Sequence, residues 1–339
     1  MDANYPVLSS LTYDHRGKAR ILTRIENASD LRIFIVVKRC LDARSLMSSS
    51  SKPHWVRAKA PLGPTHARLK KLMKQYSLHT VCEEAHCPNV GECWSGGTAT
   101  FMIMGDLCTR ACRFCSVKSG KPSGALDAEE PENIARAVKD LELKYVVLTS
   151  VDRDDLSDGG AAHFAHTISA IKALTPDVRI ETLIPDFGGD LAALQTVVHA
   201  SPDVIGHNLE TTEPLTPKMR DPRASYHQSL KILEGAKQLN GRVFTKSSLM
   251  LGLGEQEEDV LQTFRDLRAI GVDFLTLGQY LRPSPRNLPV VEFVAPERFG
   301  HFQRVAEELG FLYVASGPLV RSSYRAGEYF VRKMIEPIR

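Results

Sequence analysis

The hydrophobic and polar positions of this chain alternate between two periods over most of its length. Short runs rich in β-branched and aromatic residues fall at 101–104, 145–151, 179–184, 204–209, 244–251, 274–281 and 311–315, each with the length of a strand. Between most of them apolar residues recur at helical spacing. Phe164, Ile168 and Ile171 form one such set, Leu191, Leu194 and Val198 a second, and Val260, Phe264 and Leu267 a third, closed by Gly271 where a C-terminal cap belongs. Upstream, Leu69, Leu72, Met73 and Tyr76 predict an amphipathic helix over 66–78, with Arg68, Lys70, Lys71 and Lys74 mostly elsewhere on its surface. Strands alternating with helices imply right-handed crossovers and a parallel sheet, an α/β fold.

In such sheets ligands gather where strands end and loops begin. That edge collects the polar motifs: Ser150, Asp152, Arg153, Asp154, Asp155 and Asp158-Gly159-Gly160 after the second strand, His207-Asn208-Leu209-Glu210 after the fourth, and Lys246 with Gly252-Leu253-Gly254-Glu255 on the fifth. Residues 1–50 show neither periodicity nor motif and end in the serine run Ser48 to Ser51. They read as an uncertain, possibly disordered or non-native extension, with Met47 an alternative start.

Composition narrows the field only a little. Hydrophobic residues make up 43% and charged residues 24%, ordinary usage for a large core. The balance of 43 basic against 40 acidic residues argues against a dedicated nucleic-acid partner. The longest early apolar run, 31–37, falls far short of the roughly 20 residues of a membrane helix and lacks a signal cleavage site. Acidic residues among the first 50 disfavour a transit peptide, so a cytoplasmic location without membrane association is expected.

The cysteines change the picture. Seven occur; six lie between Cys82 and Cys115, and only Cys40 is outside. Such crowding argues for metal-binding thiolates over disulfides. They divide into Cys82, Cys87 and Cys93, spaced C-x4-C-x5-C, and Cys108, Cys112 and Cys115, spaced C-x3-C-x2-C. Three thiolates can hold three irons of a cubane cluster and leave the fourth open to a small ligand. A closed zinc site needs four ligands; the second triplet has no neighbouring histidine, whereas the first has His86. Spacing alone therefore leaves a zinc-binding scaffold as a rival from another class.

Cys108-Thr109-Arg110-Ala111-Cys112-Arg113-Phe114-Cys115 resembles the signature of radical S-adenosylmethionine (SAM) enzymes. The earlier triplet, together with Arg321-Ser322-Ser323-Tyr324, is similar to lipoyl synthases in particular, over about residues 52–330. The resemblance implies a partial (β/α)6 barrel of the TIM type over 99–318, an auxiliary-cluster layer over 51–98 and a closing segment over 319–339. It implies two 4Fe-4S clusters: one on Cys108, Cys112 and Cys115 that cleaves SAM, and an auxiliary one on Cys82, Cys87, Cys93 and Ser323, with Ser322 as the alternative ligand. The implied reaction inserts sulfur at C6 and C8 of an octanoyl group on a carrier-protein lysine. Octanoylated E2 subunits of 2-oxoacid dehydrogenases and the glycine cleavage H protein would be the substrates. Flavodoxin or ferredoxin would supply electrons, and iron-sulfur carrier proteins the clusters. A serine oxygen is a harder, weaker ligand to such a cluster than a thiolate, which suits one that must be broken up.

Ser150, Asp152, Asn208 and Glu210 are candidate SAM contacts, weighed against solvated turns and buried structural polar groups. Asp158-Gly159-Gly160 resembles the glycine-rich stretch that contacts the methionine amino group of SAM in the superfamily, with a second reading as a helix start, and Lys246 reads most simply as a strand lysine whose stem reaches solvent. Gly252 and Gly254 are too few for a phosphate loop. The basic face of helix 66–78 could dock an acidic carrier, although a solvated face is the commoner reason for such a pattern. The chain departs from the family at Asn287, where histidine is usual, and at Glu292-Phe293, where a basic-aromatic pair is usual. Another radical SAM sulfur-inserting or methylthio-transferring enzyme is the rival within the superfamily.

Overall fold

The computed structural model describes residues 8–13, 19–24, 52–56, 64–76, 78–80, 87, 89, 93, 98–324, 326 and 327. The chain falls into two compact units, Met1–Pro53 and His54–Arg339. In the first, β1 (Leu8–Tyr13) and β2 (Ala19–Arg24) pair antiparallel, Leu8 opposite Arg24 and Tyr13 opposite Ala19. The hydrophobic pattern of residues 1–50 does not announce this pair.

The second unit opens with α1 (Pro64–Gln75), which buries Met73 and exposes Arg68, Lys70, Lys71 and Lys74 as its periodicity predicts. A short β3 (His79–Thr80) then lies antiparallel against β4 (Thr98–Ile103) at the sheet edge. The loop after β4 contains a two-residue pairing of β5 (Leu107–Cys108) with β6 (Lys118–Ser119). From there the β/α alternation is regular: α2 (Glu130–Asp140), β7 (Tyr145–Ser150), α3 (Ala161–Leu174), β8 (Arg179–Leu183), α4 (Leu191–His199), β9 (Val204–Gly206), α5 (Thr216–Met219), α6 (Tyr226–Leu239), β10 (Phe244–Leu251), α7 (Glu257–Ala269), β11 (Phe274–Gln279), α8 (Pro296–Glu308) and β12 (Tyr313–Gly317). Six β/α units, from β4 through α8, form the repeat; β12 adds a seventh parallel strand.

The strand order is β12-β11-β10-β9-β8-β7-β4-β3, so successive parallel strands never reverse direction across the sheet. Right-handed crossovers wound always one way place every helix on the same face, as in a barrel, whereas a doubly wound sheet reverses and covers both. The packing agrees: Val146, Leu148, Ile180 and Ile205 join one apolar cluster with residues of α2, α3, α4 and α6, and Leu249, Leu251, Leu275 and Leu277 join another with α7 and α8. Among the described residues the sheet stays open, with β12 and β3 at its two edges. No described helix is long and apolar enough to cross a membrane.

The opposite face of the sheet carries Tyr145, Glu181 and Lys246, stepped by two residues from strand to strand, since Tyr145 pairs with Arg179, Glu181 with Val204 and Lys246 with Gly206. Lys246 does not reach solvent: it is 5% exposed, and its Nζ lies 2.8 Å from Glu181 Oε1. Tyr145 OH donates to Glu181 Oε2 at 2.7 Å, and this hydrogen bond to a carboxylate inside a buried setting raises the phenol pKa further than burial alone. A charge buried beneath later chain must find a partner within the sheet. That later chain is the segment after β12. At Gly278 a Cβ would sit 2.0 Å from the Val320 carbonyl oxygen, so only glycine lets the segment lie so close. Further along, Ala326 packs with Tyr145 and Val147.

Candidate functional site

Cys108, Cys112 and Cys115 share one loop at the C-terminal edge of the sheet. The β5–β6 pairing closes the loop, Gly120 N donating to Cys108 O at 2.8 Å and Ser119 Oγ to Arg110 O at 2.9 Å. Three later loops hold it. From the loop after β7, Asp152 O accepts from Thr109 N and Thr109 Oγ1, at 3.0 and 2.9 Å. From the loop after β9, Met219 O accepts from Arg113 N at 2.8 Å and the Asp221 carboxylate from Ala111 N at 2.9 Å. From the loop after β11, Asn287 Nδ2 donates to Cys115 O at 2.7 Å and to Arg113 O at 3.3 Å. Ser284 Oγ donates to Asn287 Oδ1, which turns the amide nitrogen toward the loop.

The centre of this cage is Arg110, only 4% exposed. Its guanidinium is bidentate to Asp186, at 2.6 and 2.9 Å, and to Asp154, at 2.8 and 3.1 Å. Burial by itself would push Asp186 up, but the Arg110 hydrogen bonds and charge outweigh it and hold the carboxyl at about 2. Arg223 extends the network to Asp221, Asp154 and the Thr109 carbonyl, and its hydrogen bonds keep Asp221 well below the usual carboxylate range.

The thiols are set for a metal group. Backbone N–H groups of Arg110 and Asp221 point at Cys108 Sγ and Cys112 Sγ, at 3.4 and 3.3 Å. Burial pushes the Cys108 thiol up to about 12, helped by the Asp152 charge, and Cys112 up to about 11. Thiols so placed ionise only when a bound cation repays the burial. Cys115 is exposed to solvent yet ringed by protein mass, so its thiol is also raised by burial. Among the described residues no three His, Cys, Asp or Glu side chains converge on a single ion.

The other candidate residues separate into groups. Asp152 Oδ2 lies 3.7 Å from Cys108 Sγ, and burial raises its pKa. The Ser150 hydroxyl is buried without a protein partner at the end of β7, a fitting place for a ligand contact. Asn208 Nδ2 donates to Glu210 Oε1 at 3.0 Å; Glu210 takes φ 69° and lies within electrostatic reach of Cys115. Asp158 is structural, its carboxylate accepting from Gly160 N and Ala162 N at the start of α3. The amides of Gly252 and Leu253 go to the Glu255 carboxylate, which leaves that turn no phosphate-binding role. His207 is buried between Ile184 O and Ser229 Oγ, at 2.8 Å each, and burial lowers it to about 4.

Of the first triplet, Cys87 and Cys93 are half-buried and Cys82 lies outside the described residues, as does Cys40. Two contacts bring this segment to the far end of the chain. Asn89 Nδ2 donates to Leu319 O at 2.5 Å, and the buried Arg321 guanidinium is close enough to lower the Cys87 thiol against the stronger effect of burial. Ser322 and Ser323 follow in a turn closed by Tyr324 N on Arg321 O. Arg110, Asp186, Asp221 and Arg223 hold the cysteine loop at positions that sequence patterns did not single out, because charges in loops carry no periodic signal, and Asn287, marked in the sequence only as a departure from the family, supplies the amide that donates to Cys115 O.

Comparison with known proteins adds the following. Residues 102–267 match a family model described as the Radical SAM superfamily, and residues 42–87 one described as the N-terminal domain of lipoyl synthase of Radical_SAM family. The protein named lipoyl synthase in Thermus thermophilus is 57% identical over 297 residues, covering 87% of this chain and 92% of that one. The mitochondrial lipoyl synthase of Drosophila willistoni is 53% identical over 288 residues, covering 84% and 77%. Among solved structures, Streptococcus suis SuiB bound to precursor peptide SuiA has a TM-score of 0.52 at 10% identity, covering 74% of this chain and 52% of that one. At that identity the likeness concerns the fold alone.

Proposed function

The chain belongs to the lipoyl synthase family of radical SAM enzymes, and from that membership we propose how its residues carry the reaction. It inserts two sulfur atoms, at C6 and C8 of an octanoyl group borne on a lysine of a lipoyl carrier domain. When bound, a 4Fe-4S cluster supplies an open iron and one electron to SAM, and an auxiliary 4Fe-4S cluster supplies sulfur. Cys108, Cys112 and Cys115 hold the first; Cys82, Cys87, Cys93 and Ser323 hold the second. Arg110 fixes the loop, and the Arg110 and Asp221 amides donate to the first two thiolates. Ser150, Asp152, Asn208 and Glu210 line the edge where SAM binds. The buried Ser150 hydroxyl awaits a partner, and Glu210 stands near Cys115.

The observation that supports this reading best is the hydrogen bond from Asn89 Nδ2 to Leu319 O at 2.5 Å, which ties the chain between Cys87 and Cys93 to the residues just before Arg-Ser-Ser-Tyr. The substrates are octanoylated E2 subunits and the glycine cleavage H protein, with an electron donor and iron-sulfur carriers as further partners.

The test is iron, acid-labile sulfide and zinc per chain after anaerobic reconstitution, with two variants. About eight irons and eight sulfides are expected. Cys108→Ala should lose SAM cleavage and keep about four irons; Cys82→Ala should cleave SAM without forming lipoyl groups. Stoichiometric zinc without iron, or 5′-deoxyadenosine release undiminished in Cys108→Ala, would overturn the assignment.

A further inference from the structure

We propose that the outer surface of the Cys108–Cys115 loop is the docking site for an acidic one-electron carrier protein. The proposal rests on the reading above in one respect, that the loop holds a cluster which must be reduced before SAM is cleaved. Arg113, exposed between Cys112 and Cys115, reaches across to the Lys218 carbonyl at 3.0 Å, so two cations from separate loops share one patch. Next to Asn287, whose amide holds the Cys115 carbonyl, Arg286 is exposed as well. On the Cys108 side, Lys118 has its side chain 70% exposed, and Lys121 follows directly after the β5–β6 pairing.

The nearby carboxylates do not balance these charges. Asp186 and Asp154 are committed to Arg110, Asp221 to Arg223 and backbone amides, and only Asp106 offsets Lys118. Between residues 104 and 124 the sequence carries Arg110, Arg113, Lys118 and Lys121 against Asp106 alone, a local excess of cations. Clustered like charges repel in the free chain, and an acidic partner relieves that repulsion while being steered toward the surface. A partner touching Arg113 stands one residue from Cys112 and two from Cys115, which is itself exposed. In the step itself the carrier is oxidised by one electron and the cluster reduced by one; no atom is transferred.

The experiment uses the full chain, reconstituted anaerobically, with reduced flavodoxin as the probe. In the double variant Lys218→Glu/Arg286→Glu both side chains change sign, and neither touches the cysteine loop in the contacts described above. Flavodoxin binding and flavodoxin-driven SAM cleavage at low salt should each weaken at least tenfold. Iron content and dithionite-driven SAM cleavage should equal those of the parent, whose flavodoxin-driven rate should itself fall as salt rises. Parental binding and rate in the variant would overturn the proposal. So would an equal loss of dithionite-driven lipoyl formation on an octanoylated carrier, which would assign the patch to that substrate. A parent that cleaves no SAM even with dithionite would refute the reading of the loop, while the binding measurement would still decide the surface.

Discussion

The two cysteine triplets are held in opposite ways. The loop from Cys108 to Cys115 is caged from three sides, by the loops after β7, β9 and β11, around a buried arginine with two bidentate carboxylates. In the segment with Cys87 and Cys93 both thiols pack against the main apolar cluster, and Asn89 joins it to the Leu319 carbonyl, 230 residues away. A network whose members are all satisfied fixes geometry before any ligand arrives. A site assembled from a few contacts between distant segments can be emptied and refilled at little structural cost. The difference parallels the roles proposed: the cluster that survives each turnover sits in a cage built around one loop, and the one that is consumed draws its ligands from segments far apart in the chain.

The strongest way to break the contrast is Arg110→Met. It leaves Asp186 and Asp154 without their guanidinium partner, and removing one side of a buried ion pair costs about 3–5 kcal/mol. Urea unfolding should show that loss, and reconstitution should fill only the auxiliary site, with about four irons. Unchanged stability with a full complement of iron would dissolve the cage.

Acid should loosen the same side of the molecule. His207 is held at about 4 by burial, so below its unfolded pKa of about 6.5 the unfolded chain takes up a proton that the folded one refuses. Stability should be complete above pH 6.5 and fall by about 3 kcal/mol as pH drops to 4. Asp186, depressed to about 2, keeps its own contribution until pH falls from its ordinary value toward 2. Unfolding midpoints measured between pH 7 and 4.5 should slope downward, and His207→Gln should flatten them; equal slopes would assign the effect elsewhere.

Gly278→Ala probes the site assembled from distant segments. Forcing a Cβ against the Val320 carbonyl costs about 1–3 kcal/mol and displaces residues 319–321. The variant should drop to about four irons while still cleaving SAM, and full iron would show that the segment's seat is immaterial. The smallest effect belongs to Asn287→Ala, which removes two hydrogen bonds to the cysteine loop at about 1 kcal/mol. A chelator should strip the SAM-cleaving site roughly fivefold faster.

Much of the fold was legible. All seven runs of β-branched residues became strands of one parallel sheet, because a strand covered on both faces needs apolar residues whatever its neighbours are. What escaped was short or non-periodic: β3, β5 and β6 are two residues each, and β1 with β2 carries no alternation strong enough to read. The fourth strand ends at Gly206: His207 N still donates to Lys246 O, but the Leu209 amide goes to the Ser247 hydroxyl instead of a carbonyl, and pairing resumes only as a single bridge of Glu210 with Leu249. Lys246 misled, because nothing in its own strand says that Glu181, 65 residues away, waits opposite it. The cysteine loop was legible from spacing, whereas its cage was not: Arg110 is one charge among many until the fold buries it between Asp154 and Asp186.

The bond from Asn89 to Leu319 also sets an order of events during synthesis. It spans 230 residues, and closing a loop that long in an unfolded chain costs about 5 kcal/mol, so the sheet must fold before the two ends can find each other. Cys87 and Cys93 therefore leave the ribosome well ahead of Arg321 and spend that interval as thiols without their counterpart. Iron delivered to them early meets half a site. On the proposed reading, filling of this site would report that the whole intervening sheet has been made and folded.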